Sequence, residues 1–154
     1  MPKLQQKTFI CDTACEDWGK TTFIKTVDQM LSLHSNRFRL VFQTSGVLDI
    51  FRVYEDLRNG NRQIVISSAG DEKKAYNKIQ KYLKSHDNVW AVVCASRSKS
   101  THPNSTWSTI NDIARVYGFL FVAYSNFYIE KSLFSHPLTN GFNDELATII
   151  YNSL

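Results

Sequence analysis

The 154-residue sequence is poor in the residues that build disulfide frameworks and metal sites. It has three cysteines, an odd number, and no secretory context, which argues against a disulfide-stabilised protein. Its four histidines (His34, His86, His102 and His136) are scattered and lack the spacing of zinc ligands. Neither a disulfide scaffold nor a structural zinc domain is expected.

Long apolar runs are also missing. No uncharged stretch is long enough to predict a membrane span. Residues 1–7 lack the apolar segment of a signal peptide, so we expect a cytoplasmic protein without a membrane partner. The sequence has no repeat, low-complexity tract or linker, and we therefore expect a single domain over residues 1–154.

The overall composition is typical of a folded globular protein. Apolar residues make up 43% of the chain and aromatic residues 13%, which is enough for a substantial core. The net charge of +4 weakly favours an anionic ligand. Because the basic residues are spread along the sequence, a nucleic-acid partner is not expected.

Strand patterns and helix patterns alternate along the chain. Apolar runs predict strands at residues 7–12, 38–42, 63–67, 89–94 and 119–124. Residues 49–54 fit either another strand or a short helix, and the sequence does not decide between them. Helices are expected after Gly19, from Asp71, up to Gly118 and after a capping Asn143. The alternation predicts an α/β fold in three layers, with helices on both faces of a mostly parallel sheet of about five strands.

A motif with a clear chemical meaning lies between the first predicted strand and the first predicted helix. Gly19, Lys20 and Thr21 fit the end of the pattern G-x-x-x-x-G-K-[ST], and Ala14 stands at its first position. Backbone N–H groups over residues 17–22, at the start of a helix, suit phosphate oxygens. In this pattern the lysine neutralises phosphate charge and the Thr21 hydroxyl binds Mg²⁺.

In these residues and in its order of elements, the chain resembles the P-loop NTPase superfamily. The resemblance implies a P-loop NTPase-like fold and a bound nucleotide. We expect ATP with Mg²⁺, because the guanine-reading N-K-x-D signature is absent after the late strands. The expected nucleotide-binding residues are Asp17, Trp18, Gly19, Lys20, Thr21 and Thr22.

The second motif of that superfamily has a partial counterpart. Residues 64–70 resemble the form h-h-h-D-x-x-G, with Ser67 in place of the aspartate, so we expect Ser67 to act with Thr21 at the metal. Asp12, Asp49 or Asp71 are candidates to supply the missing charge. In the loop at residues 96–102, Arg97 is expected to stabilise the transferred phosphoryl group together with Lys20.

Three interpretations follow for the function. The first is ATP–Mg²⁺-dependent phosphoryl transfer or hydrolysis. The second, based on Ala14 and Ser67, is a catalytically weak or inactive nucleotide sensor or protein-interaction module, with a homo-oligomer or a protein partner left open. The third is a flavodoxin-like or other doubly wound domain that binds a different anion, which the order of strands distinguishes from the first two.

Overall fold

The computed structural model describes residues 3–13, 20–44, 49–68, 73–96, 105–125 and 137–154. These ranges contain six strands and four helices. In chain order they are β1 (Thr8–Thr13), α1 (Lys20–Leu33), β2 (Phe38–Gln43), β3 (Phe51–Asp56), β4 (Arg62–Ser67), α2 (Lys73–Ser85), β5 (Val89–Ser96), α3 (Thr106–Val116), β6 (Leu120–Ser125) and α4 (Pro137–Ser153).

The strands form one mixed sheet in the order β2-β3-β4-β5-β1-β6. Strands β4, β5, β1 and β6 run parallel to their neighbours among themselves, whereas β3 is antiparallel to both β2 and β4. The undecided segment at residues 49–54 lies mostly in strand β3, which begins at Phe51. A short turn joins β3 to β4, and both Gly60 and Asn61 adopt positive φ in it, which makes tight reversal of the chain possible.

The helices cover both faces of this sheet, as the sequence predicted. Helices α1 and α4 pack on one face, around buried residues that include Phe23, Ile24, Val27 and Ala147. Helices α2 and α3 pack on the other face, around buried residues that include Tyr76, Ile79, Ile110 and Ala114. The α/β fold with three layers and a mostly parallel sheet is confirmed.

Strand β1 is an interior strand of the sheet, next to the edge strand β6. All six of its residues are buried, because it has β5 on one side, β6 on the other, and helices above and below. Side chains alternate along a strand, so Ile10 contributes to the core beneath α1, while Phe9 and Cys11 contribute to the core beneath α2 and α3. Because β1 is buried on all sides, its carboxyl end at Thr13 is held in a fixed position.

Two helix boundaries can be compared with the sequence prediction. Helix α3 ends at Val116, and Gly118 follows with φ of +75°, as the expected C-terminal glycine. The prediction for the last helix was wrong, because α4 begins at Pro137 and contains Asn143 in its interior. Proline suits the first position of a helix, where no intrahelical hydrogen bond is lost. Asp71 lies outside the described residues, and α2 starts at Lys73.

None of the helices within the described ranges has the length and hydrophobicity needed to cross a bilayer.

Candidate functional site

The sheet has a topological switch point between β1 and β5. Helix α1 follows β1 to one face of the sheet, whereas α3 follows β5 to the opposite face, and the two strands are neighbours. In open α/β sheets, helices that leave adjacent strands in opposite directions open a crevice at the carboxyl ends of those strands. The crevice here lies at the ends of β1 and β5, and the motif at residues 14–21 leaves β1 at this point.

Polar side chains are buried at these strand ends. Asp12 and Ser96 are fully shielded from water and Thr13 nearly so. Thr13 is in register with Ser96 of β5 and with Ser125 of β6, so residues with hydroxyl groups end three adjacent strands. Asp12 lies on the α1 face, one residue earlier, because side chains alternate along β1. The Asp12 carboxylate and the hydroxyls of Thr13 and Ser96 therefore lie at the same edge of the sheet, on its opposite faces.

Two thiols lie directly beneath these hydroxyl residues. Cys11 and Cys94 are in register on neighbouring strands, and both are buried and unoxidised. The pKa of the Cys94 thiol is raised by its hydrogen bond with Cys11, by burial and by the negative charge of Asp12 nearby. The Cys94 thiol therefore stays protonated, and both buried cysteines serve as small core residues, as the sequence indicated.

Side chains from α2 and β4 hold the same edge of the sheet. The Tyr76 hydroxyl donates a hydrogen bond of 3.1 Å to the Ala95 carbonyl, at the end of β5. The Ser68 hydroxyl accepts a hydrogen bond of 2.7 Å from the Ile50 N–H, and the Ser68 N–H donates to the Ile50 carbonyl. These contacts anchor the ends of β5 and β4 in fixed positions, which a binding site at this edge requires.

The described part of the motif begins with Lys20 and Thr21, the first two residues of α1. Thr22 follows in the first turn and is exposed. Ser67 is the last residue of β4 and is 1% exposed, and one strand, β5, lies between it and Thr13 of β1. Neighbouring strands lie about 4.8 Å apart, so the two strand ends are about 10 Å apart.

Several of the predicted site residues lie outside the described ranges. They are Ala14, Asp17, Trp18, Gly19 and Arg97. Among the three candidates for the missing negative charge, Asp71 is also outside, Asp49 is exposed beside β3, and Asp12 lies at the switch point. Of the described candidates, Asp12 is therefore the one whose position suits the expected task.

The structure also contains a polar network that the sequence did not reveal. Asp28 of α1 is buried and accepts hydrogen bonds from the Tyr54 hydroxyl, at 2.7 Å, and from the Arg52 guanidinium. Burial, and then the hydrogen bond to Asp28, raise the pKa of Tyr54 above its ordinary range. No sequence signal connects these residues, because the pairing depends on α1 lying across β3.

A cavity of about 390 Å³ lies beside this network, between the end of α1 and the β2–β3 hairpin. Its lining includes Tyr54 together with Arg39 and Arg52. Both arginines already pair with carboxylates, Arg39 with Glu55 and Arg52 with Asp28. Because those charges are compensated, the cavity is a weaker candidate for an anionic ligand than the switch point.

In the part of the chain that the structure describes, no three His, Cys, Asp or Glu residues cluster in a way that would hold a metal ion by themselves.

No family model and no curated protein matches this sequence. Two solved structures are similar to it in fold. EndoMS in its apo form is 14% identical with a TM-score of 0.37, over 66% of this chain and 47% of the EndoMS chain. APE1195 is 11% identical with a TM-score of 0.41, over 97% of this chain and 76% of its own. This chain thus spans about half of the EndoMS chain, and both similarities are limited to the arrangement of helices and strands.

The order of strands bears on one of the three interpretations. In a flavodoxin-like sheet the first strand lies between the second and the third. Here β1 lies between β5 and β6. The flavodoxin-like form of the third interpretation is therefore wrong, whereas another doubly wound domain stays a prediction. Strand β4, which ends in Ser67, lies one strand away from β1, with β5 between them. That is a position in which the P-loop interpretation places the strand of its second motif.

Proposed function

We propose that the chain binds the phosphate groups of a nucleotide at the switch point, through Gly19, Lys20 and Thr21, and uses ATP–Mg²⁺ in phosphoryl transfer or hydrolysis. One observation carries the proposal: α1 begins at Lys20, directly beyond the switch point. The lysine and threonine of the motif then occupy the first turn, where free backbone N–H groups and the helix dipole favour an anion.

The residues around the switch point suit a magnesium nucleotide. Mg²⁺ prefers oxygen ligands, and the end of β1 presents the carboxylate of Asp12 on the face of the sheet that α1 covers. Thr21 would hold the ion from the start of α1, and Lys20 would neutralise the terminal phosphates. Bound Mg²⁺ supplies charge stabilisation of the phosphate oxygens. Arg97 would approach the same phosphates from the loop after β5.

The test measures nucleotide binding by calorimetry with ATP and GTP in the presence of Mg²⁺. Lys20→Ala removes the cation at the phosphates, and we expect it to weaken ATP binding by about 10- to 100-fold, the worth of a charge-assisted hydrogen bond. Lys25→Ala is the matched control, since Lys25 is an exposed lysine of the same helix. We expect that variant to bind ATP like the wild type.

Two results would contradict the proposal. One is the absence of ATP and GTP binding at millimolar concentration. The other is an equal effect of Lys20→Ala and Lys25→Ala, which would mean that the position of the lysine in the motif is irrelevant. Arg97→Lys adds a further readout, because it should lower turnover while leaving ATP affinity nearly unchanged if Arg97 acts on the transition state.

A second function, nucleotide sensing without efficient turnover, is favoured by Ser67. This residue ends β4 without a charge and is almost fully buried, whereas the related motif has an aspartate there. Under this alternative, ATP binds and phosphate release stays at background. Ala14→Gly and Ser67→Asp should then raise the rate of phosphate release, with circular dichroism as the check on folding. Binding without any gain in turnover from either substitution would rule out motif decay as the cause.

A further inference from the structure

The outward face of α2 carries a concentration of positive charge. The helix contains five lysines (Lys73, Lys74, Lys78, Lys81 and Lys84) and no aspartate or glutamate. Its inward side is apolar and buried, with Tyr76, Ile79, Tyr82 and Leu83 in the core. The packing of this apolar side holds the opposite side of α2 in solvent.

Lys78, Lys81 and Lys84 are exposed, and we call them the α2 lysine face. They follow one another at intervals of three residues, so each is a neighbour of the next on the helix surface. The three positions cover about 9 Å along the helix axis at about 1.5 Å per residue.

This positive charge is not compensated within the described part of the molecule. The ion pairs there involve Arg37, Arg39, Arg52 and Arg115, and none of the three lysines. Like charges three or four residues apart on one helix repel each other and destabilise the helix. The positive charge of Lys84 is stabilised by the helix dipole, because Lys84 lies in the last turn of α2. Lys78 and Lys81 lie in the middle of the helix, where the dipole does not stabilise their charges.

The chemistry of this face identifies the kind of anion that fits it. The other outward residues, Asn77, Gln80 and Ser85, are polar. Protein interfaces are held by buried aromatic or aliphatic anchors, and amphipathic helices enter a bilayer through exposed apolar residues. The α2 lysine face offers neither, since the apolar side of the helix is already buried. Lysine is a hydrated point charge that contacts phosphate without fixed geometry.

We propose that the α2 lysine face binds the phosphate backbone of a nucleic acid, without reading its base sequence. Electrostatic contacts of this kind supply most of non-specific binding, and they need neither aromatic anchors nor shaped pockets. The even spread of basic residues along the sequence argued against such a partner. The folded helix brings its lysines onto one side. The proposal is independent of the nucleotide site at the switch point.

The test measures binding of a fluorescently labelled 20-base-pair DNA duplex of mixed sequence by anisotropy, at NaCl concentrations between 50 and 200 mM. Each phosphate contact adds about 0.9 to the slope of log affinity against log salt. Lys78→Gln/Lys81→Gln should therefore reduce that slope by about 2 and weaken binding at every salt concentration. Glutamine keeps the helix propensity close to that of lysine.

The matched control is Lys3→Gln/Lys25→Gln, which removes the same charge from exposed residues at the N-terminus and on α1. This variant should keep the wild-type slope. An equal loss in both double variants would overturn the proposal, because binding would then reflect net charge alone. So would the absence of duplex binding at 50 mM NaCl. Binding to phosphatidylserine vesicles without binding to the duplex would assign the face to a membrane surface and overturn it as well.

The same assay separates this proposal from the nucleotide site. Lys20→Ala should leave duplex binding unchanged, and Lys78→Gln/Lys81→Gln should leave ATP binding unchanged. A protein that binds the duplex and fails to bind ATP would refute only the nucleotide proposal. A protein that binds ATP and fails to bind the duplex would refute only the proposal for the α2 lysine face.

Discussion

Arg37 and Asp56 form an ion pair that is largely shielded from water. The Arg37 guanidinium donates two hydrogen bonds to the Asp56 carboxylate, at 3.2 and 2.9 Å. The same carboxylate accepts from the Asn59 side chain and from the Arg58 N–H. Burial alone would raise the pKa of Asp56, but the hydrogen bonds from Arg37, Asn59 and Arg58 outweigh burial and lower it. This one carboxylate therefore fixes the start of β2 to the end of β3.

The lowered pKa of Asp56 predicts a dependence of stability on pH. A carboxyl group with a depressed pKa in the folded state stabilises the protein above its unfolded pKa of about 3.9, and this contribution is lost as the pH falls toward the folded pKa. Asp56→Asn should therefore lower the free energy of unfolding by about 3 kcal/mol at pH 7, because it leaves Arg37 without its charged partner. Urea denaturation at pH 7, 5 and 3 measures the effect.

The difference between wild type and Asp56→Asn should shrink as the pH falls below about 4. Asp112→Asn is the control, since Asp112 pairs with Arg115 on the surface, and exposed pairs contribute little. A difference that stays constant from pH 7 to pH 3 would show that the Asp56 charge is irrelevant to stability.

At the scale of elements, local sequence explains where α3 begins and ends. The Ser105 hydroxyl accepts a hydrogen bond from the Ser108 N–H and caps the first turn. At the other end, Gly118 has φ of +75°, a left-handed conformation that favours glycine. A methyl group added at Gly118 would have nothing within 4 Å of it, so the backbone conformation alone creates the requirement for glycine.

Gly118→Ala should therefore lower the free energy of unfolding by about 1 kcal/mol, through the cost of a left-handed alanine. Gly118→Asn should lose less, because asparagine tolerates this conformation better than alanine does. Thermal and urea denaturation of both variants measure the difference. Equal stability of the alanine and asparagine variants would mean that conformation does not determine the choice of residue at position 118.

At the scale of the whole molecule, two cores share one sheet. Ile24 of α1 lies in the core on one face, and Ile79 of α2 lies in the core on the other face. Both side chains are fully buried. Successive residues of β4 and β5 contribute to the two cores in alternation, for example Val65 to one and Ile66 to the other. The cores are therefore joined through every central strand, and we expect them to unfold together.

Ile24→Ala and Ile79→Ala should each lower the free energy of unfolding by about 3 kcal/mol. Because the sheet separates the two sites, the double variant should lose the sum within about 0.5 kcal/mol. Fluorescence and circular dichroism should report the same single transition in urea. Leu33→Ala is the control, since Leu33 is 72% exposed and should show no measurable change. Two separate transitions would show that the cores unfold independently.

Local patterns in the sequence were sufficient to predict most elements and the three-layer α/β class. Continuous apolar runs predicted β4 and β5, because a strand buried on both faces is mostly apolar, and the shorter run at residues 9–11 predicted β1. Residues 49–54 were ambiguous, because a short segment with mixed polarity fits a helix and a strand equally well. Only pairing with β2 and β4 made it β3. The start of α4 was predicted wrongly, at Asn143. The helix begins earlier, at Pro137, because proline loses no intrahelical hydrogen bond at the first position of a helix.

For the candidate site, too, some features could be predicted from the sequence and others depended on the tertiary structure. The sequence alone supplied the prediction of phosphate binding, because Lys20 and Thr21 come after a strand and begin a helix, and that order depends on neighbouring residues. Tertiary structure decided the position of Asp12 at the switch point and the pairing of Asp28 with Tyr54 and Arg52. Those relations depend on the order of strands and on which face each helix covers. These contacts between distant parts of the sequence form when whole faces of the sheet and the helices are buried against each other, and a local sequence pattern cannot predict them.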